Sequence, residues 1–258
     1  MKPDEYGIYA HGLTHRYGAQ TVLEGITLQI KPGEFFGFLG PNGAGKSTAI
    51  RALCGFLPPT DGNLWVAGVN VIKDPIALRS RIGVVSEDVA LYERLTGREF
   101  LEFAAQMHGL SSGQAHHRTD DLLERLELTD AAHRPISGYS LGMKKKTAFA
   151  AALIHAPRVL FLDEPFNGVD TASTRTLCGL LTHLAQSRGV TIFFTSHVLE
   201  MAERLCSRVA ILHGGRICQQ GAIPELKAQA AQKGATLEDI FLQLTGASAA
   251  SNAPLDWF

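Results

Sequence analysis

Hydrophobic residues along the chain follow two periods, and the switches between them divide it into elements. Ile8 to Tyr17 and Thr21 to Ile30 alternate apolar and polar positions, as half-buried strands do, with Gly18 and Ala19 at the turn between them. Phe35 to Leu39 has no polar position, so it reads as a central strand covered on both faces. A glycine-rich loop follows, then a helix from about Lys46 to Leu53. Pro-Pro-Thr-Asp-Gly at 58–62 signals a turn into a short strand, Asn63 to Ala67. From about Asp88 to His155 the chain is rich in Leu, Ala, Glu and Gln at helical spacing. Glu99 to His108 and Asp120 to Leu128 read as helices, with a loop at 109–114.

Strand patterns return at 159–162, 191–195 and 208–212, separated by helical patterns at 174–187 and 198–205. That alternation predicts parallel strands with helices on both faces. His213 to Arg216 reads as a last turn, followed by a small polar appendage ending at Phe258. The expected organisation is one domain over about 1–230, with a helical lobe inserted at about 88–155, and a short appendage over 231–258.

Composition adds limits. A chain of 258 residues, 45% apolar and 19% charged, can bury a substantial core. A net charge of -1 offers neither a basic excess for nucleic acid nor an acidic tail. Cys54, Cys178, Cys206 and Cys218 match no zinc or redox spacing and read as reduced core thiols. The start of the chain is charged and does not read as a signal peptide. No apolar run approaches the ~20 residues that cross a bilayer. The expectation is a cytosolic chain; if it works at a membrane, another polypeptide supplies the spans.

Two stretches carry recognisable chemistry. Gly-Pro-Asn-Gly-Ala-Gly-Lys-Ser-Thr at 40–48 contains the phosphate-binding loop pattern, with Gly40, Gly45, Lys46 and Ser47 in the defining places. Glycines let backbone N–H groups wrap phosphates, Lys46 brings a charge to the β- and γ-phosphates, and the Ser47 hydroxyl is a Mg²⁺ ligand. The helix that begins there aims its positive end at the anion. Arg-Val-Leu-Phe-Leu-Asp-Glu-Pro at 158–165 is a hydrophobic strand ending in two acids. Asp163 is placed to hold Mg²⁺ through water, and Glu164 to polarise an attacking water.

With Tyr-Ser-Leu-Gly-Met-Lys-Lys-Lys at 139–146 the chain resembles the ATP-binding-cassette (ABC) ATPases over about residues 6–225. Ser140 and Gly142 match the family's signature motif, commonly Leu-Ser-Gly-Gly-Gln, whereas Leu141 and Met143 depart from it. Asp170, in Asn-Gly-Val-Asp at 167–170, resembles the D-loop acid, and His197 the switch histidine at the γ-phosphate. Tyr17 stands where the family keeps an adenine-stacking aromatic; a strand-end core tyrosine is the other reading. The family usually has Gln where this chain has Glu87, which keeps an oxygen for Mg²⁺ but adds charge. Glu87, the 91–99 segment and Thr-Leu-Glu-Asp-Ile-Phe-Leu-Gln-Leu-Thr-Gly at 236–246 resemble a branch of bacterial ABC exporters.

The resemblance implies an α/β fold: a P-loop NTPase core with a mixed, largely parallel sheet, an N-terminal antiparallel β-subdomain and an inserted α-helical subdomain. It implies ATP hydrolysis with Mg²⁺ and a head-to-tail dimer that drives a separate membrane transporter subunit from the cytoplasmic face. Gly40, Asn42, Gly43, Gly45, Lys46, Ser47 and Thr48 would hold ATP from one chain, and Ser140 and Gly142 would close on it from the other. Asp170 and Tyr17 would contribute to that nucleotide site, and Glu87, Glu164 and His197 to catalysis. Ser47, Glu87 and Asp163 would serve the metal. Leu91 and Tyr92 are either contacts to the membrane subunit or local packing. A soluble ABC ATPase acting on the ribosome or DNA is the alternative, though such proteins usually carry paired cassettes, coiled-coil inserts or basic arms. A P-loop kinase would need no signature, and a module that only holds ATP would not need Glu164.

Overall fold

The computed structural model describes residues 3–229 and 235–246. Along the chain run β1 (Ile8–Tyr17), β2 (Gln20–Ile30), β3 (Phe35–Leu39), α1 (Lys46–Leu53), β4 (Asp61–Val66), β5 (Val69–Asn70), α2 (Pro75–Arg79) and β6 (Ile82–Val85). The lobe follows: α3 (Gly97–Met107), α4 (Ser112–Arg125) and α5 (Leu141–Leu153). The chain then forms β7 (Val159–Asp163), α6 (Thr171–Arg188), β8 (Thr191–Ser196), α7 (Leu199–Leu205), β9 (Arg208–His213), β10 (Arg216–Ala222), α8 (Ile223–Gln229) and α9 (Leu237–Thr245).

Two sheets form. The first is antiparallel, in the order β2-β1-β4-β5. The second runs β10-β9-β3-β8-β7-β6; its five inner-numbered neighbours β9, β3, β8, β7 and β6 are parallel, and β10 closes one edge antiparallel. The parallel strands are buried on both faces, which their unbroken apolar runs require. Phe35 and Leu39 of β3, Leu160 and Leu162 of β7, and Ile192 and Phe194 of β8 face a core shared with the helical lobe. Their neighbours Phe36, Phe38, Phe161 and Phe193 face a second core, shared with the antiparallel sheet and α1. The loop that opens α1 therefore lies at the carboxyl ends of the parallel strands, where open α/β sheets bind ligands.

Four expectations need correction. The loop expected at 109–114 ends at Ser111: α4 starts at Ser112, with Ser111 as N-cap in a capping box with Gln114, and does not wait for Asp120. The expected turn at 213–216 is a hairpin into one further strand, β10. Cys54, Cys178 and Cys206 are buried, but Cys218 on β10 is exposed. The appendage is not simply polar: Leu237, Ile240 and Phe241 of α9 are buried, and α9 packs on α7, α8 and β9. Its remainder, residues 231–234 and 247–258, lies outside the described residues.

Among the described residues no helix is long and apolar enough to cross a membrane.

Candidate nucleotide site

The 40–48 loop is shaped by steric demands that only glycine meets. Gly45 has φ of 108°, and a Cβ there would stand 2.8 Å from Leu23 Cδ2 and 3.0 Å from the Val22 carbonyl oxygen. Gly45 is also the N-cap of α1 and gives it no side-chain cap. The first amides of α1 are thus available to an anion. Val22, Asn42, Gly43, Gly45, Lys46, Ser47, Thr48, Glu87 and Glu164 line one cavity of about 330 Å³.

Lys46 is buried in this cavity. Its Nζ donates to the Gly40 carbonyl at 2.8 Å and the Pro41 carbonyl at 3.3 Å, and stands 3.2 Å from Glu164 Oε1. Glu164 is 5% exposed. Its Oε1 lies within ion-pair distance of Lys46 yet has no aligned hydrogen bond among the described residues. The other oxygen faces His197, whose Nδ1 is at 3.1 Å and whose backbone N–H donates at 3.4 Å. Glu164 has φ of 43°, a left-handed conformation that a residue with a Cβ holds only when its surroundings impose it. Thr195 imposes it. Its Oγ1 accepts from the Glu164 N–H at 3.1 Å and donates to Asp163 Oδ1 at 2.6 Å. One hydroxyl from β8 thus fixes both acids at the exit of β7. Thr195 was not among the sequence candidates; its only trace there is a polar Thr-Ser pair following the apolar run Ile192 to Phe194.

Glu87 follows β6 and is exposed. Its side chain accepts from Asn167 Nδ2 at 3.2 Å and its backbone carbonyl from Lys145 Nζ at 2.6 Å. Lys145 is 2% exposed, and burial lowers its pKa from the ordinary lysine value. Neither Asn167 as a Glu87 partner nor Lys145 is evident from sequence, where the three lysines read as a basic first turn.

Ser140, Gly142 and Asp170 gather elsewhere in the chain. Ser140 caps α5, accepting from the Met143 N–H at 3.3 Å. Asp170 caps α6, accepting from the Ser173 N–H at 2.9 Å, and these hydrogen bonds hold its carboxyl below the usual range. The two helix starts are pressed together: a Cβ on Gly142 would stand 2.5 Å from Asp170 Oδ2 and 2.7 Å from Ser173 Oγ. None of the three lines the cavity around Lys46. Tyr17 does not line it either. It is 46% exposed and packs edge-on to His15 at 4.6 Å.

A model of the ABC transporter family matches residues 23–167, which span the loop at 40–48, Glu87, Ser140 and the acid pair. The chain belongs to the ABC transporter family. Among its relatives is the linearmycin resistance ATP-binding protein LnrL of Bacillus subtilis (strain 168), 38% identical over 85% of this chain and 70% of that one. The bacitracin transport ATP-binding protein BcrA of Bacillus licheniformis is 37% identical over 83% of this chain and 69% of the relative. Among solved structures, an ATP-binding subunit of an ABC transporter superposes with a TM-score of 0.85 at 32% identity, covering 92% of this chain and 98% of that one. The dimeric bacterial ABC transporter cassette MJ0796 superposes with a TM-score of 0.77 at 25% identity, covering 83% and 98%. Within the ABC family this chain is an ATP-hydrolysing subunit, and the matched segment contains both Lys46 and Glu164.

Proposed function

We propose that this chain is the nucleotide-binding subunit of a bacterial ABC exporter, acting as a homodimer on the cytoplasmic face of the membrane beside a separate membrane-spanning subunit. Residues 1–230 would form the ATPase domain. The observation that carries the chemistry is Glu164, held in a strained backbone conformation between Lys46 and His197 at the wall of the phosphate cavity. The export reading draws support from relatives named for linearmycin resistance, daunorubicin resistance and bacitracin transport.

In this reading the backbone N–H groups of 42–48 and Lys46 bind the β- and γ-phosphates. Glu164 accepts the proton of the attacking water as general base, and His197 keeps its carboxylate aimed by hydrogen bonding to Oε2. Phosphate oxygens compete with Glu164 for Lys46, so binding of ATP releases the carboxylate for that work. Ser47 and Asp163 suit Mg²⁺, as both offer hard oxygen donors and Thr195 takes only one Asp163 oxygen. When bound, Mg²⁺ would neutralise phosphate charge, with Glu87 as a further oxygen ligand.

Ser140 and Gly142 would complete the site of a second chain, a reading supported by their absence from the lining of this chain's own cavity. Leu141, 48% exposed at that helix start where the family commonly has Gly, fits burial in such an interface. The dimeric MJ0796 cassette supplies a fold-level precedent. Asp170, beside Gly142, would join this surface, and Tyr17 would stack on adenine from the exposed end of β1.

For the membrane subunit, an apolar groove runs along the 86–92 loop and α3, with Tyr92, Phe103 and Met107 exposed in it. Tyr92 packs on Phe100 and Phe103, while Leu91 is partly buried against the lobe core. Of the two loop candidates, Tyr92 is therefore the better contact.

Sedimentation of Glu164→Gln tests the reading. Loss of general-base chemistry should slow turnover on the order of 10²–10⁴-fold and trap an ATP-bound dimer. A variant that binds Mg-ATP yet stays strictly monomeric would count against it.

A further inference from the structure

Three consecutive lysines near the start of α5 leave the helix toward two other segments. Lys144 pairs with Glu93 in the loop before α3. Lys145 reaches the Glu87 carbonyl at 2.6 Å. Lys146 pairs with Glu127, after α4, at 3.1 Å. Two of the three thus grip the loop that carries Glu87.

Lys145 is the unusual member. Its residue is 2% exposed, and among the described residues it forms no ion pair within 4 Å. Instead it lies in the combined field of Glu87, Asp88 and Asp163. Burying an ammonium is costly, and an apolar side chain of similar volume would stabilise a helix core at least as well. What the lysine adds is a long, charged donor that can hold a backbone carbonyl of another element. Glu87 thereby has two handles. Its backbone is tied to the signature helix through Lys145, and its side chain to the segment after Glu164 through Asn167.

We propose that Lys145 is a positioning residue that clamps the 86–90 loop to the signature helix. The loop then moves with α5, and not with β6 from which it emerges. A rotation of the helical lobe is delivered to Glu87 as one displacement, and Asn167 passes it to the exit of the catalytic strand. The functional part of this proposal rests on the role given to Glu87 above; the clamp itself does not.

The test compares Lys145→Met and Lys145→Gln with the parent, measuring hydrogen exchange of the 86–92 amides, affinity for a fluorescent ATP analogue, and kcat. Lys145→Met should speed exchange at 86–92 while protection within α5 stays at the parental level. Nucleotide affinity should stay within about twofold, and kcat should fall about tenfold, the size expected for loss of one charge-assisted hydrogen bond. Lys145→Gln, which keeps a donor without the charge, should recover part of both losses. Parental exchange and kcat in Lys145→Met would overturn the proposal. So would faster exchange throughout α3 and α5, which would mark Lys145 as a packing residue. A Glu87→Ala control separates the two layers: if it turns over like the parent while Lys145→Met still loosens 86–92, the Glu87 role fails and the clamp stands.

Discussion

Glu164 combines a strained backbone with a buried carboxylate, and the proposed chemistry turns on it. A carboxylate at φ of 43° holds its place only through what surrounds it, chiefly Thr195, His197 and Lys46. Lys46→Ala removes the one cation in the cavity lining among the described residues, so ATP binding should weaken by at least about 10–100-fold, the worth of one or two charge-assisted hydrogen bonds. Equilibrium binding checks this. Thr195→Val keeps the side-chain volume but deletes the hydroxyl that bonds both acids. It should cost about 1–3 kcal/mol of stability in denaturant titration, because a buried carboxylate loses its donor. It should lower kcat more than it alters nucleotide affinity, since the residues that would wrap the phosphates are untouched. At Glu87, Gln preserves an oxygen and should retain turnover with a shifted Mg²⁺ dependence, whereas Ala should lose most turnover and still bind ATP. A Mg²⁺ titration of the rate distinguishes them, and parental curves for both would make Glu87 an ordinary loop acid.

At the scale of elements, the stacked rings of His108 and His155, 3.8 Å apart where α3 meets the end of α5, give a pH prediction. Burial lowers the pKa of both, that of His155 to about 4. The folded lobe therefore binds these protons less readily than the unfolded chain does. Stability from the neutral pair is fully present above the ordinary histidine range and is lost as pH falls from about 6.5 toward 4. Thermal melts across that range should show a smaller acid loss in His155→Gln than in the parent.

The same scale shows what was legible in the chain. β3, β7 and β8 could be read because a strand covered on both faces must be apolar throughout. The phosphate loop could be read because its glycines and lysine sit at fixed spacing. The start of α4 was lost because a largely exposed helix carries little apolar period, and its Ser-Ser-Gly-Gln opening looks like a loop until Ser111 is seen capping Gln114. β10 was lost because none of Arg216–Ala222 is buried and Arg, Gln, Gln and Gly break its apolar pattern along a sheet edge. Lys145 and Thr195 could not be found, since a lysine triplet and a strand-end threonine acquire meaning only from the tertiary neighbours they touch.

For the whole molecule, one chain does not bring together the two halves of the proposed nucleotide site. Lys46, Ser47 and Glu164 share a cavity, while Ser140 and Gly142 sit at another helix start, packed on Asp170 and Ser173. A two-fold dimer resolves this, since the same pair of surfaces then meets twice. Mixing two disabled chains tests it most directly. Lys46→Ala spoils the phosphate loop and leaves the signature intact; Ser140→Arg does the reverse. Each alone should be inactive. Mixed in equal amounts, half the dimers pair one of each, and each such dimer has one site built from two intact halves. The account predicts recovery of up to about a quarter of the parental ATPase rate. No recovery under conditions where the two variants demonstrably associate, or full activity of Ser140→Arg alone, would contradict it.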